Sequence, residues 1–320
     1  MEKILGKEIA VLLATYNGAR YLVEQLDSLR AQTCQDFVCY IHDDGSTDGT
    51  QDIITNYCST YPDQFVYLGC SRTGGAKYNF MYLLRQVEAP YYMFCDQDDV
   101  WLPEKIEKTY NKMKEVEAEN QNIPVCVCSD VTCVDEKLNV ITPSFFSYTG
   151  RDYRRTTLID LLNRSIAPGC TMMFNHIAKE IAMSVEVTAI IFMHDWYMSV
   201  VTAVCGKVVC INESLMLYRQ HGDNTLGLLK KTSRWYKLFH LKSCIKEKKS
   251  GINQNLGISE ATIICLEHYM TMLQSKGSLS VTDKEMTERC KESLTLVRKF
   301  RRQLQQPYLV RKIKKLIFRD

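Results

Sequence analysis

The sequence predicts an α/β fold in which a mostly parallel sheet is flanked by helices, with a basic helical appendage at its C-terminal end. Strand-like and helix-like segments alternate over residues 9–95, and acidic clusters follow two of the strand-like segments. From about residue 230 the pattern becomes helical and basic, without strand signals. In doubly wound sheets ligands bind beyond the carboxyl ends of the strands. The acidic clusters therefore mark the expected site.

The alternation consists of short apolar runs, typical of buried strands, and of segments with apolar residues at helical spacing. The order is strand, helix, strand, helix, strand, helix, strand: Ile9–Ala14, Tyr21–Gln32, Phe37–His42, Thr47–Tyr57, Phe65–Leu68, Ala76–Val87 and Tyr91–Cys95. This βαβ alternation indicates parallel strands joined by crossover helices.

The middle of the chain, up to residue 217, continues the same domain with shorter elements. Three strands and two helices are predicted there: Val125–Cys128, Thr171–Phe174, Lys207–Ile211, Thr156–Asn163 and Asp195–Val204. A loop at 222–229 gives the boundary, so we predict a catalytic domain over residues 1–229 and a helical basic region over 230–320.

Composition is that of an ordinary soluble protein, with 46% hydrophobic and 24% charged residues in 320. No apolar stretch reaches the roughly 18 residues of a membrane-spanning helix. The N-terminal segment reads as a first strand rather than a secretion signal, because it lacks a small-residue cleavage site. We expect a cytoplasmic protein, peripheral on the inner face of the membrane.

The fourteen cysteines are scattered through hydrophobic runs, and no CxxC pair occurs. Cys126, Cys128 and Cys133 have poor spacing for a zinc site. Buried thiols in a reducing compartment are therefore expected rather than disulfides.

A net charge of +3 hides an asymmetry between the two regions. Residues 230–320 carry 21 Lys and Arg against 8 Asp and Glu, whereas residues 1–229 carry 19 against 29. Trp235, Leu238, Phe239 and Leu241 lie at near-helical spacing among lysines, which suits an amphipathic helix on an anionic membrane surface. The alternative is a helical appendage that packs on the body and exposes a basic face.

The segment DQDD, residues 96–99, sets three carboxylates directly after a buried strand. Like charges this close repel unless a cation joins them, and a divalent ion that carries a nucleoside diphosphate takes only one or two protein carboxylates. The alternative is a solvated turn that caps the helix after Pro103.

The segment HDDGSTDGT, residues 42–50, presents the same choice after the second strand. Asp44-Gly45 is a turn signal, and Ser46 or Thr47 could cap the next helix. Aspartates at the strand end could instead accept hydrogen bonds from the imide N–H of a base or from ribose hydroxyls.

Several motifs together resemble those of the inverting family 2 glycosyltransferases, which have the GT-A fold. The likeness spans residues 8–227, and its ending is most similar to the bacterial rhamnosyltransferase-like branch. The motifs are, in chain order, VLLATYNGARYLVEQLDSLRAQT, FVCYIHDDGSTDGT, RTGGAKYNF, FCDQDDVW, APGCTMMFN, HDWYMSV and YRQHGDNTLG.

The resemblance implies roles for eight residues. Asp195 would be the catalytic base, and Asp98 would bind Mg²⁺ or Mn²⁺ with His221 close to the metal or the diphosphate. The remaining five would bind the donor, with Asp44 at the base and Asp96 at the ribose or sugar: Ala14, Thr15, Tyr16, Asp44 and Asp96.

The residues alone leave alternatives for some of these positions. Asp195 could be only an N-cap, and His221 a hydrogen-bonded loop histidine. Arg72 and Lys77 could touch the diphosphate or belong to a solvated loop. The aromatic residues near the motifs are expected in the core or the pocket wall: Trp101, Trp196 and Tyr197.

The activity implied is transfer of a sugar, with inversion, from dTDP-rhamnose or a UDP-hexose to a glycan or lipid-linked acceptor in cell-surface polysaccharide synthesis. We expect the acceptor pocket to involve residues 140–170, where no residue is diagnostic. The alternatives are a metal-dependent sugar nucleotidyltransferase, or a basic protein that binds membrane or nucleic acid. A nucleotidyltransferase would need a phosphate loop rich in glycine and lysine, which ATYNGARY is not, and the acidic body argues against nucleic acid.

Overall fold

The computed structural model describes residues 7–222, 241–276 and 278–306, with the side chains of 241–249 excepted. Nine strands form one sheet: β1 Ile9–Thr15, β2 Phe37–Asp43, β3 Phe65–Cys70, β4 Tyr91–Asp96, β5 Val100–Trp101, β6 Val125–Val134, β7 Val140–Thr142, β8 Met173–Asn175 and β9 Lys207–Arg219.

Helices cover both faces of the sheet, as the alternation predicts. The eight helices of the body are α1 Leu22–Arg30, α2 Thr50–Thr60, α3 Ala76–Gln86, α4 Lys105–Glu119, α5 Phe145–Thr149, α6 Leu158–Asn163, α7 His176–Met183 and α8 His194–Cys205. A 3₁₀ turn occupies Gly169–Thr171, and two long helices follow, α9 Leu241–Ser275 and α10 Val281–Gln305.

The sheet has the order β3-β2-β1-β4-β8-β6-β9-β5, with β7 paired to β6. Strands β1 to β4 are mutually parallel where they pair, so their carboxyl ends share one edge. Thr15 is level with Asp43 across β1 and β2, and Ala14 with Asp96 across β1 and β4. The α/β fold class is confirmed, although the other half of the sheet is mixed, because β8 runs antiparallel to both β4 and β6.

The pairing of β6 with β9 extends both strands well beyond their predicted ends. Predicted as 125–128 and 207–211, they run to Val134 and Arg219, with register shifts between Ser129 and Thr132. The extensions contain polar residues whose alternation is broken by these shifts, so the sequence pattern hides them. Two-residue β5 then pairs antiparallel with the end of β9 and brings that end beside the DQDD turn.

Helix starts differ from those predicted from local capping signals. Neither Ser46 nor Thr47 caps α2, which begins after Gly49 at φ +89°. Helix α4 has Glu104 as its N-cap and no side-chain cap, so the DQDD carboxylates do not cap it. The carboxylates of Asp96, Asp98 and Asp99 are therefore available for other contacts.

Helices α9 and α10 pack on the body through a shared apolar core. On their side it contains Ile258, Ala261, Cys265, Cys290 and Val297, each with no exposed surface, against residues of α6, α7 and α8. The predicted amphipathic segment with Trp235, Leu238, Phe239 and Leu241 lies outside the residues whose side chains are described.

The thirteen cysteines described are all free, and most are buried, as the sequence predicts. Within the described ranges no helix has both the length and the apolar character that crossing a membrane requires.

Candidate active site

A cavity of about 1330 Å³ lies beyond the carboxyl ends of β1, β2 and β4. Its other walls come from the start of α8, the segment 163–169 and the 251–255 stretch of α9. All eight residues assigned from the sequence line it: Ala14, Thr15, Tyr16, Asp44, Asp96, Asp98, Asp195 and His221. Segments up to 207 residues apart in the chain thus meet at one place.

The loop after β1 is held to the DQDD turn by Gln97. Its Oε1 accepts a hydrogen bond from the Tyr16 N–H at 2.8 Å, and its Nε2 donates to the Tyr16 carbonyl at 2.9 Å. A Cβ on Gly18 would lie 2.1 Å from Gln97 Oε1, so a larger residue there would displace the Gln97 side chain from these hydrogen bonds. Tyr16 itself is 50% exposed and offers its ring to the cavity.

Asp43 organises the turn after β2 and was not singled out from the sequence. It is fully buried, and its carboxylate accepts hydrogen bonds from the Thr15 hydroxyl at 2.9 Å and from the Ser46 N–H at 2.7 Å. The Thr15 hydroxyl therefore uses its proton to hold this turn.

Asp44 holds the loop that carries Gly74 and Gly75. Its carboxylate accepts from the Thr73 N–H and hydroxyl, from the Gly74 N–H at 3.1 Å and from the Gly75 N–H at 2.7 Å. Burial raises the pKa of Asp44, but these hydrogen bonds outweigh it and leave the pKa below its usual value. Four hydrogen-bond donors fill the lone-pair sites of a carboxylate, so a nucleotide base that contacts Asp44 would have to share these sites with the loop.

The DQDD turn keeps its carboxylates in different environments. Asp98 lines the cavity and lies 2.7 Å from His221 Nε2, while Asp99 is fully buried and accepts from the Arg219 N–H at 3.0 Å. Burial, and then the charge of Asp98, raise the pKa of Asp96 to about 7. The turn concentrates negative charge at one end of the cavity.

Two buried cations of the chain itself balance part of this charge. Arg219 donates from Nε to the Asp98 carbonyl at 2.7 Å, from Nη1 to the Glu136 carbonyl at 2.7 Å, and from Nη2 to Glu24. Lys105 is fully buried and donates to the Cys170 carbonyl at 2.7 Å. The sequence pattern does not reveal Lys105, because a lysine in the first turn of a helix is normally exposed.

Replacing Arg219 with Met is expected to destabilise the fold by about 3 kcal/mol, the low end for a broken buried pair, because Glu24 is half exposed. Guanidinium denaturation measures this. Arg20→Met is the matched control, since its ion pair with Glu136 is 66% and 44% exposed and should contribute less than about 1 kcal/mol. Equal losses in the two variants would contradict this account of the turn.

Two sets of side chains could hold a divalent metal ion. Asp98 and His221 offer a carboxylate oxygen and an imidazole nitrogen on the cavity wall, which fit an ion whose other ligands are phosphate oxygens. The second set is Asp96, Asp99 and Cys170, whose ligand atoms lie within 4.8 Å of one another. Asp99 and Cys170 are buried, and Asp99 Oδ2 has no hydrogen-bond partner among the described residues. A thiolate suits softer metals than Mg²⁺.

Asp195 lies in the first turn of α8, where its charge is favoured by the helix dipole. The N-cap alternative is wrong, because the N-cap is Met193, and Asp195 Oδ1 accepts from the neighbouring Trp196 N–H at 2.6 Å. Burial raises the pKa of Asp195 to about 6, although backbone N–H groups of Trp196 and Gly169 oppose the rise. Such a carboxylate is a stronger base than an exposed one.

The neighbour of Asp195, His194, is buried between aromatic rings. It stacks on Phe80 at 4.2 Å and meets Phe94 edge-on at 4.7 Å, and neither ring nitrogen has a partner among the described residues. Burial lowers its pKa to about 3, so the ring is neutral beside the carboxylate.

Gly169 allows α8 to approach the 3₁₀ turn, since an added Cβ would lie 2.9 Å from Asp195 Cβ. Gly169→Ala is expected to shift Asp195 and lower the rate of the reaction it serves about tenfold to hundredfold, with folding retained. Initial rates and circular dichroism check this. An unchanged rate in a folded variant would contradict the need for this close approach.

The aromatic residues near the motifs belong to the core, as predicted: Trp101, Trp196 and Tyr197 are 2%, 6% and 0% exposed. Arg72 lines the cavity, whereas Lys77 Nζ donates to the Ile191 carbonyl at 2.8 Å outside it. Gln97 and Arg219 lie within the motifs FCDQDDVW and YRQHGDNTLG, and this position could have identified them from the sequence.

Comparison with known proteins gives similarities in sequence and in fold. The model of the family described as "Glycosyl transferase family 2" matches residues 10–181. The chain is similar to the dTDP-rhamnosyl transferase RfbG of Shigella flexneri, with 28% identity over 67% of this chain and 73% of that protein.

Two solved structures share the fold. TarS of S. aureus, residues 1–349 with UDP-GlcNAc, has a TM-score of 0.52 and 14% identity over 94% of this chain and 76% of its own. The mannosyltransferase PcManGT of Pyrobaculum calidifontis, with GDP-Man and Mn²⁺, has a TM-score of 0.51 and 15% identity over 99% and 89%. At these identities the likeness shows the GT-A architecture alone.

Proposed function

The chain belongs to glycosyl transferase family 2, and on that premise we propose that it transfers a sugar from a nucleotide-sugar donor to a glycan or lipid-linked acceptor, with inversion. The observation that carries the proposal is the shared cavity: Asp98 with His221 at one end and a buried carboxylate, Asp195, on another wall. The family match favours this reading over a nucleotidyltransferase or a binding protein.

In the proposed reaction Asp195 removes the proton of the acceptor hydroxyl while that oxygen attacks the anomeric carbon. General base catalysis of this kind contributes about 10²–10⁴ in rate. Its raised pKa supports the role, since a base near the working pH is strong enough to accept a proton and still ionised. Attack from this face, opposite the leaving diphosphate, inverts the anomeric configuration.

The leaving diphosphate would lie at the end where Asp98 and His221 meet. Mg²⁺ or Mn²⁺ bound there would neutralise the charge that develops on the diphosphate. Arg219 and Gln97 act as positioning residues, because they fix the DQDD turn and the loop after β1 relative to each other. The solved relative with GDP-Man and Mn²⁺ supports the choice of metal by analogy.

For the donor we propose dTDP-rhamnose first and a UDP-hexose second, since RfbG is named a dTDP-rhamnosyl transferase. The proposed pathway is the synthesis of a cell-surface polysaccharide. We also propose that the basic residues of 230–320 bind an anionic membrane surface. Nucleic acid is not proposed as a partner.

The test is a thermal-shift panel with Mn²⁺ against dTDP-rhamnose, UDP-glucose, UDP-galactose, UDP-N-acetylglucosamine and the free diphosphates. A ligand that binds only the folded state raises the melting temperature with its concentration. We expect a metal-dependent shift that is largest for one sugar nucleotide. No shift with any member of the panel would contradict the proposal.

A further inference from the structure

Two arginines stand close together on the cavity wall that the donor-binding loops do not form. Arg151 follows α5 and Arg164 ends α6, and both line the cavity. Burial, and then the positive charge of Arg164, lower the pKa of Arg151 to about 10. The sequence predicts acceptor binding in this region without naming a residue.

Neither guanidinium forms an ion pair with a carboxylate within the part of the chain that is described. Arg151 donates from Nε to the Ser165 carbonyl at 3.1 Å and its guanidinium lies 4.4 Å over the Phe145 ring, which leaves both terminal amino groups without a hydrogen bond there. The exposed side chain of Arg164 likewise has no partner in those ranges. By contrast, neighbouring Arg154 and Arg155 are paired with Asp152 and Asp160.

The charge of Arg151 is partly buried and costly to desolvate, and the exposed Arg164 adds a second positive charge beside it, so the pair favours an anion in the cavity. Two planar guanidinium groups match a phosphate, which carries about two negative charges and three acceptor oxygens, better than a single carboxylate. The arginines make their part of the cavity wall positively charged, whereas the DQDD turn makes its part negatively charged.

The position of the pair indicates which substrate would carry the phosphate. Trp196, the neighbour of Asp195, donates from Nε1 to the Leu161 carbonyl at 2.6 Å, and Arg151 donates to the Ser165 carbonyl, so the segment 161–165 connects both arginines to the start of α8 and the proposed base. The cavity of about 1330 Å³ also exceeds the roughly 300–1,000 Å³ of an ordinary ligand pocket, so there is room for more than a donor.

We propose that Arg151 and Arg164 form a subsite for a phosphate group on the acceptor, whose hydroxyl then lies within reach of Asp195. This inference rests on the proposed function, because it takes Asp195 as the base. The phosphate could belong to a lipid carrier or to a phosphate-bearing glycan, and the two sources share the same recognition chemistry.

The test is calorimetry on the full chain saturated with UDP and Mn²⁺, so that the donor end is filled. The probes are farnesyl phosphate, glycerol 3-phosphate and farnesol. We expect both phosphates to bind and farnesol to bind at least about tenfold more weakly than farnesyl phosphate. Tighter binding of farnesyl phosphate would indicate a lipid source, and equal binding of the two phosphates a phosphate-bearing glycan.

Arg151→Gln and Arg164→Gln should each weaken the binding of the phosphate probes about tenfold without changing the affinity for UDP. Because Arg164 is exposed, its variant should fold. Arg154→Gln, 74% exposed at its side chain, is the matched control and should change nothing. Phosphate binding unaffected by either variant, or no phosphate binding at all, would overturn the subsite.

A parallel loss of UDP affinity in the variants would also overturn it, because the arginines would then serve the donor diphosphate. Failure of UDP to bind the wild-type protein is a separate result. It would count against the proposed function, and Arg151-dependent phosphate binding would then describe an anion site without an acceptor role.

Discussion

Asp195→Asn is expected to lower the rate of sugar transfer about 10²–10⁴-fold while the affinity for UDP and Mn²⁺ stays unchanged. Asparagine keeps the oxygen that accepts from the Trp196 N–H, so the start of α8 should be preserved. What it loses is the ability to take a proton. Transfer rates and calorimetry on the same preparation separate the two effects, and exposed Asp36→Asn is the control.

The pH dependence provides a second readout for the same residue. A carboxyl with a pKa of about 6 is protonated below pH 6 and cannot act as a base there. The wild-type rate should therefore rise as the pH passes through 6 and level off above it, and the residual rate of Asp195→Asn should lack this rise. A variant that retains wild-type turnover would remove Asp195 from the role of base.

Asp98→Ala is expected to weaken metal-dependent binding of UDP by about 100-fold or more. The variant removes the carboxylate that faces the cavity and lies 2.7 Å from His221 Nε2. Calorimetry with UDP, in the presence and absence of Mn²⁺, measures the loss. His221→Ala should produce a smaller loss of about tenfold, since the carboxylate remains.

A second variant tells the two candidate metal sets apart. Asp99→Asn keeps the shape of the buried residue but removes a charge from the set formed with Asp96 and Cys170. If Asp98→Ala leaves Mn²⁺-dependent affinity intact and Asp99→Asn abolishes it, the metal binds at the set formed by Asp96, Asp99 and Cys170, and the assignment of Asp98 is wrong.

Much of the N-terminal half of the sheet could be predicted because its signals are local. The buried run Ile9–Thr15 and the run Tyr91–Asp96 are almost wholly apolar, and turn residues bound them on both sides. Parallel pairing then follows from the crossover helices, and it aligns the strand ends where the acidic clusters stand.

Prediction failed where a partner strand or a side-chain contact decides the outcome. The polar second halves of β6 and β9 become strands only because they pair with each other. Helix α2 starts three residues after Thr47, because Asp48 accepts from the Thr50 N–H at 3.2 Å and Gly49 supplies the positive φ.

The sequence by itself determined the α/β fold class, the family and the eight residues that share one cavity, because motif spacing and hydrophobic period are properties of the chain. Only the tertiary structure showed which contacts some of these residues make. Asp44, for example, accepts hydrogen bonds that hold the Thr73–Gly75 loop. It also showed that Lys105 and Arg219 are buried, and that Arg151 has no ion pair among the described residues. Burial and charge pairing depend on which distant segments meet, and a side chain's pKa, partners and accessibility are set only after they have met.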